Sequence, residues 1–139
     1  MKWVLDTNIV SYLLRGNSAV QGGFNAARQA TDTLFILSPV VDYEIRRYLL
    51  LKQASRNLAQ YEALTAQWVE PPFDGAHWQQ AATLWAQRHG SGQPIEDADL
   101  LIAVTALRQD AVLVTNNTRH FIGLGLRLED GSLPCPPAA

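Results

Sequence analysis

The chain has almost no cysteine, no long apolar run and no excess of positive charge. Its single cysteine, Cys135, excludes an internal disulfide and a cysteine-built zinc site. No apolar stretch approaches the roughly 18 residues that a membrane span requires. The N-terminus carries no signal-peptide pattern, so the expected location is cytoplasmic, with no membrane partner. The net charge is −2. A protein that grips nucleic acid through overall basicity would be strongly positive, so any polyanion bound here needs positive charge from elsewhere. What is present is ordinary globular composition, 47% hydrophobic and 17% charged in 139 residues, which argues against disorder. We expect one domain over residues 1–131, then a flexible proline-rich tail over 132–139, "SLPCPPAA".

The apolar patterns sort into alternating strands and helices. Residues 2–5 read as a buried strand, 9–15 as a helix stopped by "RGNS", and 19–30 as a second helix. "TLFILS" is rich in β-branched and aromatic residues and predicts a buried strand. Ser38-Pro39 then reads as an N-cap followed by proline in the first turn. In the helix it opens, Val40, Val41, Ile45, Tyr48, Leu49 and Lys52 fall at helical spacings. Residues 56–68 form a further helix. Asp74 or Gly75 caps another through Arg88, with Trp78, Ala81, Ala82 and Trp85 on one stripe. "HGSGQPIE" is the clearest loop, "DADLLIAVTALRQD" an apolar helix with Asp97 read as its cap, and "AVLVT" the third strand. This alternation predicts an α/β fold with a parallel sheet covered on both faces. In such sheets ligands bind beyond the carboxyl ends of the strands, where Asp6, Ser38 and Thr115 stand.

Acids gather near those ends or early in the following helices: Asp6, Asp42, Glu44, Glu96, Asp97 and Asp99. Glu44 interrupts a helix whose neighbouring positions face a core. Asp99 precedes an almost wholly apolar helix. Converging carboxylates repel one another and raise each other's pKa unless a cation offsets them. Oxygen donors without cysteine suit Mg²⁺ or Mn²⁺ rather than zinc. Each acid also has a plain role: Asp6 as a helix cap, Glu44 as a partner of Arg47, and Asp99 as a first-turn charge favouring the helix dipole. His77 and His89 lack a third ligand nearby for zinc.

The blocks "VLDTNIVSYLL", "SPVVDYEIRR", "IEDADLLIAVTAL" and "LVTNNTRHF", with "LRLEDGS" after them, resemble the motifs of PIN-domain ribonucleases. The similarity is greatest to the VapC-type toxins of toxin–antitoxin pairs. It covers nearly the whole chain in the family's order. It implies a PIN-like three-layer α/β/α sandwich with a central, mainly parallel sheet. It also implies a site in which Asp6, Glu44 and Asp99 bind Mg²⁺ or Mn²⁺ and activate water. The fourth position, often acidic in the family, is Asn117, with Asn116 beside it. His120 also stands where relatives often carry an acid, and is read either as a phosphate contact or as a surface residue. Thr7 and Thr115 would hydrogen-bond the carboxylates, with Asp97 as an auxiliary acid.

Arg46, Arg47, Lys52 and Arg56 form a basic set on one helix and just beyond it. They read as a solvated face or as contacts to RNA or an acidic partner. Arg15 and Arg119 flank the expected cleft. The resemblance implies an RNA substrate, a cognate antitoxin and a homodimer, the last through aliphatic surface on the first helices. The expected function is metal-dependent endoribonucleolytic cleavage by a toxin. The alternatives are a non-catalytic PIN-like module that binds protein or RNA, and a PIN nuclease in RNA processing.

Overall fold

Four short runs become strands: Lys2–Leu5 (β1), Leu34–Ile36 (β2), Val112–Thr115 (β3) and Arg127–Asp130 (β4). In this computed structural model, which describes residues 1–131, they form one parallel sheet in the order β2-β1-β3-β4. The tail expected over 132–139 lies outside the described residues. The sequence reading missed β4. Its four residues, Arg-Leu-Glu-Asp, carry three charges and a single apolar side chain, as an edge strand allows. The other edge is covered differently. Val69 pairs with Ile36 beyond β2, exchanging backbone bonds with Leu37 and Phe35.

Parallel pairing needs long crossovers, and helices supply them. The helices are Thr7–Leu14 (α1), Ser18–Gln29 (α2), Pro39–Leu51 (α3), Ser55–Thr65 (α4), Gly75–Gly90 (α5) and Asp97–Gln109 (α6). Register puts Trp3, Leu5, Phe35, Val112 and Val114 on one sheet face. There α2 lies over them, with the Phe24 ring tilted against Phe35 at 4.9 Å between centroids. Val4, Ile36 and Leu113 face the other way, toward α6, which is buried on most of its circumference. The result is the expected three-layer α/β/α sandwich.

Local chemistry starts and stops these helices much as expected. Ser38 Oγ accepts from the Val40 amide and Pro39 occupies the first turn of α3. Asp74 caps α5 by accepting from the amides of Ala76 and His77, while the His77 imidazole reaches back to the Asp74 amide. Three expectations need correction. The cap of α6 is Glu96, not Asp97, and its side chain makes no capping bond; Asp97 lies exposed in the first turn. The buried stripe of α5 is His77 and Ala81, whereas Trp78 and Trp85 are exposed. Among the described helices the large exposed aliphatic side chains are Leu50 and Leu51 of α3, whereas Ile9, Val10, Leu13, Val20 and Phe24 of the first helices are buried. A small amphipathic helix spends its apolar side chains on the nearest sheet face, and α1 and α2 have the sheet beside them.

No helix among the described residues is long and apolar enough to cross a membrane.

Candidate active site

The strand order has a direct consequence for where side chains meet. The chain moves from β1 outward to β2, then returns to the far side of β1 to lay down β3. The crevice at this reversal opens beyond the carboxyl ends of β1 and β3. Asp6 follows β1 and Thr115 ends β3, so these two residues, 109 positions apart, are brought face to face.

Asp6 is buried, with 5% of its surface exposed. One carboxylate oxygen accepts from the Thr7 amide at 2.8 Å and so helps cap α1. The other accepts from the Thr115 hydroxyl at 2.8 Å. The Thr115 oxygen in turn accepts from the Asn117 amide at 3.0 Å, which positions the segment after β3. Thr7 bridges to the next acid, its hydroxyl donating to Glu44 at 2.7 Å. Glu44 also pairs with Arg47 at 3.7 Å, one turn along α3, so its expected surface partner and its inward contact coexist. Asp99, in the first turn of α6, lies 3.2 Å from His120 Nδ1 on the short 3₁₀ turn Thr118–Phe121.

Asp6, Glu44, Asp99, Asn117 and His120 line one cleft of about 440 Å³. Its acidity shows in the titration of its members. Burial pushes Asp6 up from the ordinary carboxylate range, hydrogen bonds from Thr115 and the Thr7 amide hold it back, and the charges of Asp99 and Glu44 push it up again. Burial likewise raises Asp99; His120 beside it opposes the rise, and Glu96 and Glu44 add to it. Buried carboxylates whose neighbours add to the rise are short of positive charge.

The residues present fit a hard divalent cation by their donor chemistry. Asp6, Glu44 and Asp99 offer carboxylate oxygens and Asn117 an amide, with no thiol among them, as Mg²⁺ or Mn²⁺ prefers. Asn8, on the same wall, has a buried side-chain oxygen without a donor among the described residues. No three acidic or imidazole groups among the described residues stand as a ready-made cage.

The other expected site residues divide between the cleft and places outside it. Thr7 and Thr115 take the supporting places predicted for them. Asp97 points away, and Glu96 is the additional acid in the cleft. Asn116 donates to the Tyr12 hydroxyl at 2.8 Å instead of facing the acids. Arg15 lines the cleft, while Arg47 and Arg119 do not. Arg46 is occupied by Asp42 at 2.8 Å and by Glu62, over the Tyr61 ring. Sequence reasoning passed over Asn8, Ser11 and Tyr12, which also line the cleft. Their signal was available: 8, 11, 12 and 15 follow helical spacing and form the face of α1 opposite buried Ile9, Val10 and Leu13.

Comparison with known proteins gives the family and the fold. The PIN domain family matches residues 3–123. A tRNA(fMet)-specific endonuclease VapC from Shigella flexneri is 28% identical over 136 residues, covering 95% of this chain and 99% of its own. VapBC2 from Rickettsia felis, solved bound to a DNA fragment from its promoter, superposes with a TM-score of 0.81 at 25% identity. That match covers 93% of this chain and 98% of the other. VapBC-1 from nontypeable Haemophilus influenzae has the same fold, with a TM-score of 0.82 at 23% identity over 95% of this chain and 99% of that one. In sequence and in fold this chain is similar to VapC proteins, and it belongs to the PIN-domain family.

Proposed function

We propose that this chain is a metal-dependent endoribonuclease and the toxin of a type II toxin–antitoxin pair. The observation that carries the reading is the convergence of Asp6, Glu44 and Asp99 in one cleft at the sheet's reversal, where burial, with neighbouring carboxylates adding to it, raises Asp6 and Asp99. Asp6, Glu44 and Asp99 would hold Mg²⁺ or Mn²⁺, with the Asn117 amide as a neutral fourth donor. A bound ion of this kind lowers the pKa of water and offsets the charge of the phosphodiester under attack. The protein's own part is placement. Thr115 and the Thr7 amide fix both oxygens of Asp6, so that its carboxylate has one orientation. Thr7 fixes Glu44 through a second bond, which joins α1 to α3 across the site. His120 keeps Asp99 turned toward the cleft.

The Shigella relative's name assigns it tRNA(fMet); from it we take only the reaction class, cleavage of RNA phosphodiesters. The solved VapBC relatives support a cognate antitoxin as partner. Homodimerisation and a cytoplasmic location complete the proposal, with the exposed end of α3 as the dimer surface. Asn117 and His120, standing where charge is expected, favour one other reading: a PIN-like module that binds without cleaving.

The test has two arms. Expression should arrest growth, and the reading requires a neighbouring gene for a small DNA-binding protein whose co-expression relieves the arrest. The purified chain should cleave single-stranded RNA in proportion to added Mg²⁺ or Mn²⁺. RNA binding without metal-dependent turnover would establish the non-catalytic reading instead. A finer prediction concerns Thr115→Val, which keeps the shape of the side chain but removes its hydroxyl. Asp6 and the Asn117 amide each lose a partner. The kcat/KM for RNA should fall about 10- to 100-fold, the usual effect of losing an orienting partner. An unchanged value would show that Asp6 needs no orientation.

A further inference from the structure

An acidic cleft that takes a polyanion faces a problem beyond the reacting phosphate. The neighbouring phosphates of the strand also carry charge, and four lining residues, Asp6, Glu44, Glu96 and Asp99, repel it. One wall of the cleft differs. Arg15, at the C-terminal end of α1, is the only arginine or lysine among the described residues that lines it. A guanidinium in such company ordinarily pairs with a carboxylate. Arg15 instead lies 5.9 Å over the Tyr12 ring, and its fork of donors has no partner among the described residues. Aromatic support of this kind orients a guanidinium while leaving its N–H groups free for a planar bidentate contact.

Tyr12 is prepared in a similar way. Its hydroxyl oxygen accepts from the Asn116 amide at 2.8 Å, and its own proton has no acceptor among the described residues. Asn116 directly follows Thr115, the residue that holds Asp6. Two consecutive residues at the end of β3 therefore position the carboxylate site on one side and Tyr12 on the other.

We propose that Arg15 and Tyr12, with Asn116 as their positioning residue, form a subsite for a backbone phosphate of the RNA next to the one being cleaved. This rests on the nuclease reading of the same cleft. Arg15 supplies the positive charge and Tyr12 one O–H donor, so the strand is held by its backbone and no base is read. The carboxylates would hold the metal at one phosphate while Arg15 and Tyr12 carry the next.

The test compares the wild-type chain with Arg15→Gln, Arg15→Lys and Tyr12→Phe. Steady-state cleavage is measured with Mg²⁺, and binding of a fluorescein-labelled single-stranded RNA by anisotropy in EDTA across a KCl series. Arg15→Gln should raise KM about tenfold, the usual size for one charge-assisted hydrogen bond, with kcat changing less than KM. Its slope of log binding constant against log salt should shrink by about 0.7, the loss of one phosphate contact on a single strand. Arg15→Lys should restore the slope but only part of the affinity. Tyr12→Phe should weaken binding while leaving the slope intact. A wild-type KM and slope in Arg15→Gln would overturn the subsite, as would a loss carried wholly by kcat. If the wild type cleaves nothing with either ion yet binds RNA with an Arg15-dependent slope, the nuclease reading fails and the subsite stands.

Discussion

Asp6→Asn should abolish RNA cleavage and, in the metal-free protein, raise the melting temperature. The catalytic half follows from its place: loss of an orienting partner alone costs about 10- to 100-fold, and loss of a ligand itself should exceed that range. The stability half follows from charge. Asp6 is buried beside Asp99 and Glu44, and its pKa in the folded chain lies above its ordinary value. The folded state therefore holds that proton more tightly than the unfolded chain does. At neutral pH the ionised carboxyl costs stability, and the cost fades as pH falls through the folded pKa. It is gone below the unfolded value of about 4. Asparagine carries no such cost, and its carbonyl can still accept from the Thr7 amide while the Thr115 hydroxyl turns to accept from its amide. Melting in EDTA should therefore favour the variant at pH 7, with the gap closing toward pH 4. A variant that melts lower at pH 7 would show that the hydrogen bonds of Asp6 outweigh its desolvation. Undiminished metal-dependent cleavage would remove Asp6 from the active site altogether.

Tyr61→Ala should cost about 3–5 kcal/mol, the range for emptying a large buried aromatic site. Against a typical total of about 5–15 kcal/mol, that leaves a marginal fold. Tyr61 has no exposed surface. Its hydroxyl donates to Asp42 at 2.7 Å, which ties α4 to α3, and Arg46 spans the ring and the same carboxylate. Burial, followed by this bond to Asp42, pushes the phenol far above its ordinary range, so it remains a neutral donor at any working pH. Tyr61→Phe separates packing from hydrogen bonding and should cost about 1–3 kcal/mol, since Asp42 loses a donor while the cavity stays filled. Urea denaturation of both variants measures the difference. Equal losses would mean that the hydroxyl, not the ring, holds the two helices together.

Asp42 also marks the limit of reading acids from a sequence. It and Glu44 stand two positions apart on one helix and look equally eligible. A step of two residues turns a helix by about 200°, so the two carboxyls face opposite ways. Glu44 faces α1 and meets Thr7; Asp42 faces α4 and meets Tyr61. The same ambiguity separates Glu96 from Asp97, where the expected auxiliary acid points outward and its neighbour lines the cleft. Nothing local distinguishes either pair, because the deciding partner lies on another element.

Other features were legible because their causes are local. Apolar spacing marked the helices and three of the four strands, and Ser38-Pro39 and Asp74 marked helix starts through bonds to amides two or three residues away. The fourth strand escaped because an edge strand needs few apolar side chains, and its identity comes from pairing with β3.

By itself, then, the sequence determined the alternation of strand and helix, the parallel sheet that such alternation requires, and the identity of Asp6, Glu44 and Asp99 as acids near strand ends. Only the tertiary structure decided which polar groups meet. The bonds that build the site join Thr7 to Glu44 across 37 residues and Thr115 to Asp6 across 109. The strand order β2-β1-β3-β4 brings those positions together, and that order is set by how the whole sheet packs between its helices.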